Sequence, residues 1–353
     1  MKVVVLHGYS AKNAGDGLLV DETLAVVRTA FGDAVEITIA ASHPETFAGI
    51  DARVVDSSPS ATGYAAPYRR LLRELDDADL VVAVGGGYLR AGYAVETLKT
   101  ALVHGPQLWA ASRTSTPTVY LPQSVGPAGA AVGRALTSRM RKIDAFYVRD
   151  DRSLAEFADA GVRRLSDLAI LGADHIERRG LDVDSVPVLT VRAVRGKLGP
   201  LVVDLAHQLG TFDGYVQSAT AGNNDVDAMA SVGARKILPR SEFMTPGAPR
   251  VVVAVRLHAA LMALKAGHYV VHLAYERKGF GAFADLGLDR YVHNVNKFEP
   301  ARVLQQVRTL LDDESERARY AADVDAALQR AAPAREQLIE ELRRLVPTAE
   351  RTP

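Results

Sequence analysis

Cysteine is absent from all 353 residues. That excludes disulfides, thiolate nucleophiles, zinc–sulfur centres and iron–sulfur clusters, and it suits a reducing compartment. Net charge is lacking as well, with 42 Lys and Arg against 42 Asp and Glu. With no basic excess or stripe, nucleic acid is not an expected partner. No apolar stretch approaches the roughly 18 residues that a bilayer span needs. The opening MKVVVLHGYS has one Lys and a short apolar run, but no signal-peptide core or small-residue cleavage site follows. A cytoplasmic protein is the expectation, with peripheral membrane contact left open. No metal-binding signature stands out either, whether HExxH, a DxD-type cluster or a usefully spaced carboxylate pair, so no metal is expected. No repeat at solenoid or propeller period is found.

What is present is ordinary globular composition, 48% hydrophobic and 24% charged, at a length that favours two α/β domains over one. In the first half, apolar runs at Val3–Leu6, Val35–Ile39, Leu80–Val84, Thr118–Leu121 and Ala145–Val148 read as buried strands. Helical patterns at 17–30, 67–75, 96–111 and 131–142 separate them, which predicts βαβ units and a parallel sheet. A charged stretch from 174 to 187 reads as the connection between domains. Alternation then resumes, with strands at 188–191, 215–218, 236–238, 251–255 and 269–273 and helices at 198–209 and 225–232. Helical spacing marks 300–346, and the last residues read as a frayed tail. The expected division is a Rossmann-like domain over 1–180, a second over 185–312, a helical segment over 313–346 and a tail over 347–353.

Parallel sheets bind ligands beyond the carboxyl ends of their strands, and the unusual segments fall at such ends. Asn13-Ala14-Gly15-Asp16 follows the first strand; it reads as a turn with Asp16 capping the next helix, or as a loop reaching a ligand hydroxyl. Gly85-Gly86-Gly87 follows the third apolar run, Leu80–Val84, and removes three side chains, which would let an anion approach backbone N–H groups. It matches neither a dinucleotide fingerprint nor a P-loop. Arg149-Asp150 before Ser153 reads either as a ligand contact or as a structural ion pair at a helix start. Arg256 and His258 stand where a very apolar strand turns into a helix, where N–H groups and the helix dipole attract anions. Arg supplies a planar fork for carboxylate or phosphate, and His a proton near neutral pH. Lys278 ends the following strand, beside Glu276. His7 and His272, at strand ends, are candidates to line a cleft; His104, His207 and His293 read as incidental.

In order along the chain, Asn13-Ala14-Gly15-Asp16, Gly85-Gly86-Gly87, Pro122-Gln123-Ser124-Val125-Gly126-Pro127, Val148-Arg149-Asp150 with Ser153, Ala173-Asp174 and Val255-Arg256-Leu257-His258-Ala259, with Tyr275 and Lys278 after it, resemble the polysaccharide pyruvyl transferase family. The chain departs from the family at Glu276-Arg277, where Asp-Pro usually precedes the late Lys, and matches loosely over 197–245. The resemblance implies an α/β fold like that of B-type glycosyltransferases, two Rossmann-like domains facing a central cleft, followed by C-terminal helices. It implies an acceptor-side first domain and a donor-side second one. Phosphoenolpyruvate would be the donor substrate, with no resident cofactor, and a sugar or glycan the acceptor, as in polysaccharide biosynthesis and glycan modification.

On that reading Arg256 and His258 are the catalytic pair. Substrate binding is assigned to Arg256, Lys278, Asn13, Asp16, Gly85, Gly86, Gly87, Gln123 and Arg149. Two rivals stand beside it: a nucleotide-sugar-dependent glycosyltransferase of the same architecture, and a non-catalytic binding protein that retains the fold.

Overall fold

The computed structural model describes residues 1–173, 176, 182–193, 197–220, 223–245 and 247–346. Asp174, the connection expected around Glu177 to Gly180 and the tail from 347 lie outside the described residues. The chain forms two compact units. The first comprises Met1–Ala11, Asp16–Leu168 and Pro333–Pro353, and the second Lys12–Gly15 and Ala169–Ala332.

The first unit is built on strands β1 (Lys2–Gly8), β2 (Glu36–Ala41), β3 (Arg53–Asp56), β4 (Leu80–Ala83), β5 (Gly86–Ala91), β6 (Thr118–Ala128), β7 (Ala145–Val148) and β8 (Arg163–Arg164). They lie in the order β3-β2-β1-β4-β6-β7-β8, with β5 also on β6 and all pairs parallel. The row runs outward in both directions from β1 and β4, which is the doubly wound arrangement. Helices α1 (Ala14–Phe31), α2 (Ala66–Arg73), α3 (Ala94–Lys99), α4 (Gly105–Ala111), α5 (Ala130–Met140) and α6 (Asp151–Glu156) follow the strands, with a π-helical turn over Thr100–His104 joining α3 to α4. Val3 to Leu6 and Leu80 to Ala83 are all buried, as strands covered on both faces require.

Two sequence expectations change here. Gly85-Gly86-Gly87 is not an open loop: Gly86 and Gly87 begin β5, which pairs with β6. The strand expected to end at Leu121 runs on as β6 to Ala128 and supplies the edge that β5 needs. A glycine is required at 85, since a Cβ there would sit 2.7 Å from the Pro122 carbonyl oxygen. Neither backbone can yield without breaking the ladder. Gly85→Ala is therefore expected to destabilise the protein by about 1–3 kcal/mol, read as a lower urea midpoint at unchanged slope.

After the short helix α7 (Leu168–Leu171), the second unit is built on β9 (Asp184–Thr190), β10 (Asp213–Gly214), β13 (Arg250–Ala254), β14 (Tyr269–Ala274) and β15 (Val292–Asn294), parallel in the order β10-β9-β13-β14-β15; a small antiparallel hairpin, β11 (Ala219–Thr220) and β12 (Asn223–Asn224), stands apart. The strand expected at 215–218 is displaced: Asp213 and Gly214 make the pairing, and the region of 236–238 contributes one isolated bridge from Ile237 to Gly214. Asp213 takes that place because its carboxylate is buried between the guanidinium groups of Arg235 (2.8 Å) and Arg250 (2.7 Å). The helices are α8 (Pro200–Leu209), α9 (Val226–Ala230), α10 (Arg240–Met244), α11 (Leu257–Lys265), α12 (Arg277–Asp285), α13 (Pro300–Asp312) and α14 (Glu314–Leu345).

The C-terminal residues are not a separate helical segment. Tyr320, Val324 and Leu328 of α14 are buried in the second unit; beyond Pro333 the helix belongs to the first. There Glu341 accepts from Tyr147 Oη and pairs with Arg163 at 2.7 Å, and Arg343 donates to the carbonyls of Thr29 and Ala30. Among the described residues no helix is long and apolar enough to cross a membrane.

Candidate functional site

The second unit gathers the chemistry. β9 and β13 are parallel neighbours with Thr190 opposite Ala254, so the Val191-Arg192 and Val255-Arg256 that follow leave the same sheet edge in step. β14 lies on the other side of β13 with His272 opposite Ala254, so Tyr275, Glu276 and Lys278 emerge at that edge too. Arg192, Arg256, His258 and Lys278 therefore come from the carboxyl ends of three adjacent strands, where such sheets hold ligands.

Arg256 takes the N-cap position of α11 and is 6% exposed. Its guanidinium grips Asp225 through Nε to Oδ2 and Nη2 to Oδ1 (2.9 Å), and Asp225 itself stands just before α9. The fork expected to clamp a ligand is thus engaged edge-on by a buried carboxylate. His258 lies in the first turn of α11 and is partly exposed. Gly15 packs against it so closely that a Cβ on Gly15 would come within 2.5 Å of both His258 Cβ and Nδ1.

Gly15 belongs to the segment Lys12–Gly15, which clusters with this unit. Asn13 bridges to Ser218, its Oδ1 accepts from Gln217 Nε2 (3.3 Å), and Ala14 N–H donates to the Gln217 carbonyl (3.1 Å). Asn13 Oδ1 also accepts from Gly15 N–H, so Asn13 rather than Asp16 makes the Asx-type cap of α1. Asp16 sits in the first turn.

Arg192 is the residue that the sequence reading passed over. Its guanidinium lies over the Tyr275 ring at 3.8 Å, and its Nε and Nη1 are buried without a hydrogen-bond acceptor among the described residues. Glu276 Oε1 is 4.0 Å away, while Glu276 Oε2 pairs with Lys278 Nζ at 3.0 Å. Lys278 is mostly buried in that pair, not solvated. Buried guanidinium N–H groups without acceptors carry a penalty that an anionic ligand would remove. The signal was available: the same Val-Arg pair follows two apolar runs, at 191–192 and 255–256.

The remaining candidates lie in the interior of the first unit. Gly85 and Gly86 are buried within the strand pairing, and Gln123 is fully buried on β6. Arg149, also buried, pairs with Asp167 and donates from Nε to Ser124 Oγ at 3.1 Å. The ion pair anticipated between Arg149 and Asp150 is not formed. Asp150 instead caps α6, accepting from Ser153 N–H at 2.9 Å. Arg149 is thus held within the unit, whereas both polar atoms of the Gln123 side chain are buried without a hydrogen-bond partner among the described residues.

The histidines also redistribute. His272 does not line a cleft; it is buried in β14, stacked on Phe283, with Nδ1 on the Ala254 carbonyl at 2.7 Å. His104 is not incidental. It lies 3.3 Å from His7, Nδ1 to Nδ1, and both rings stack on Tyr88. His7 Nε2 meets Tyr120 Oη at 3.0 Å, and His7 has φ 67°, the one left-handed non-glycine among the described residues. Burial holds His104 down to about 3 and His7 well below its usual value, so both are neutral at physiological pH.

Two Rossmann-like units with these topologies define a B-type glycosyltransferase fold, and solved structures bear this out across the whole chain. The Anabaena protein HepE, solved with UDP and glucose, superposes with TM-score 0.57 at 14% identity, covering 97% of this chain and 99% of its own. A putative UDP-N-acetylglucosamine 2-epimerase from Listeria monocytogenes gives 0.56 at 10% (96% and 97% covered), and S. aureus MnaA with UDP gives 0.55 at 9% (97% and 96%). No curated protein matches the sequence. The family model for polysaccharide pyruvyl transferase matches residues 13–206, and the chain belongs to that family.

Proposed function

We propose that the protein transfers a pyruvyl group from phosphoenolpyruvate to two hydroxyls of a sugar, forming a cyclic ketal and releasing phosphate. The observation that carries this reading is the cationic edge of the second unit, above all the buried Arg192 N–H groups, which have no hydrogen-bond acceptor among the described residues, with Lys278 on the neighbouring Glu276. Family membership supports phosphoenolpyruvate as that anion.

In this reading Arg192 and Lys278 hold the donor's phosphate and carboxylate. Arg256, fixed by Asp225, positions the start of α11 and with it His258. The His258 imidazolium gives its proton to the methylene carbon, which becomes a methyl group and leaves the central carbon electrophilic. One sugar hydroxyl adds there and the C–O bond to phosphate breaks; a second hydroxyl then closes the ring. Of the two protons the hydroxyls release, one restores His258 and the other leaves with phosphate.

Calorimetric titration with phosphoenolpyruvate tests the donor. Saturable binding is expected, weakened about 10- to 100-fold in Arg192→Ala by loss of charge-assisted hydrogen bonds. Arg192 is the better site to vary than Arg256, whose removal would strand the buried Asp225 carboxylate. Structural relatives solved with UDP make a parallel titration with UDP the deciding control. Binding of UDP and not of phosphoenolpyruvate would replace this reading with nucleotide-sugar transfer.

A further inference from the structure

The helical stretch from Ala94 to Ala111 is inverted relative to a helix that faces water. Its buried side carries the polar Thr100, His104 and Gln107 beside Leu108 and Ala110. Its outer side carries Val95 (80% exposed), Leu98 (60%), Leu102 (44%) and Trp109 (51%), with Tyr93 (75%) just before it. Spacings of three, four and seven residues put 95, 98, 102 and 109 on one stripe, continuous over α3, the π-turn and α4. Five of the eight large apolar side chains that stand exposed among the described residues are gathered here. Monomers in water seldom keep such a patch.

Basic side chains predominate on the helices that carry it. The stripe is flanked by exposed Lys99 and Arg113, whose guanidinium lies over the Trp109 ring at 4.6 Å. α2, which packs beside α4, adds exposed Arg69, Arg70 and Arg73 and no acid. Of the acids nearby, Glu96 is partly buried on Arg90 (3.4 Å), Asp76 accepts from Thr114 and Ser115, and exposed Glu74 and Asp77 follow the end of α2. A second copy of the chain paired through this patch would set arginine against arginine. An anionic lipid surface matches both features, since an apolar stripe with Trp and Tyr among cations is how helices lie in a bilayer interface.

We infer that the α2–α4 face docks the protein on anionic membranes, with Val95, Leu98, Leu102 and Trp109 entering the headgroup layer. The inference does not depend on which donor the second unit holds. It would place the enzyme beside acceptors carried on lipid.

The test is flotation of the full-length protein with phosphatidylcholine vesicles, with and without phosphatidylglycerol. Binding is expected only with the anionic lipid and is expected to fall with salt. Trp109, the single tryptophan, should shift its emission to the blue on binding. The double variant Leu98→Glu with Leu102→Glu, both side chains exposed, should bind at least ~10-fold more weakly at unchanged melting temperature. Arg69, Arg70 and Arg73 each changed to Gln should cost about fivefold apiece. Absence of binding at low salt, or binding that the double variant leaves intact, would overturn the inference. So would a dimer, seen by light scattering without vesicle binding, that the double variant dissociates; the stripe would then be an interface between copies.

Discussion

His258→Ala is expected to lower phosphate release from phosphoenolpyruvate by about 10²- to 10⁴-fold, the usual contribution of one positioned general acid. Binding of the donor, measured by calorimetry, should change far less, because the proposed function assigns the anion to Arg192 and Lys278. That split separates a proton donor from a residue that merely shapes the site. Near-normal turnover would end the assignment of His258. Gly15 extends the prediction: a methyl there would lie 2.5 Å from the imidazole, so Gly15→Ala should displace His258 and reproduce much of the loss. Loss of turnover in His258→Ala with undiminished donor affinity, and in Gly15→Ala alongside it, would mark the pair as one catalytic element.

The second large effect concerns pH. Burial holds His104 down to about 3 and His268 and His272 to about 4, each below the ordinary 6.5. His268 shows why: its Nδ1 accepts the Arg250 N–H at 3.0 Å, and protonation would remove that lone pair, although its bond to the Phe243 carbonyl favours the charged form. His272 is neutral for a related reason, its ring enclosed by Ala254, Phe283 and Gly279. A histidine with a depressed folded pKa contributes stability that is whole above about 6.5 and is lost as pH falls below it, because only the unfolded chain takes up the proton there. Between pH 7 and 5 each such group forfeits at most about 2 kcal/mol, and three together approach about 6 kcal/mol. The loss is shared between the units, His104 lying in the first and His268 and His272 in the second, and is still a large part of the stability of a domain. Scanning calorimetry should therefore show a melting temperature lower by about 10 °C at pH 5 than at pH 7. A flat profile over that range would show the histidines to be solvated or already protonated.

Much of this was readable along the chain. Apolar runs with intervening helical periods located most long strands, because strands buried on both faces need unbroken apolar sequence. Arg256 and His258 stood out because charge follows a buried strand there. β3 and β8 left little trace, the first half-covered at an edge and the second two residues long. The glycines at 85–87 misled, since a gap in side chains marks close backbone approach as readily as a ligand loop.

What the sequence determined by itself was the alternation of elements, the doubly wound class and the identity of the residues able to do chemistry. Folding decided their roles. Arg256 finds Asp225 across 31 residues and Arg149 finds Asp167 across 18; His7 meets His104 across 97. Gly15 is brought against His258 from the other end of the chain. Secondary structure follows local periodicity, and local periodicity is written in sequence. Which carboxylate neutralises which guanidinium, and so which cation still has N–H groups to offer a ligand, depends on strand register, and that is fixed only when the sheets assemble.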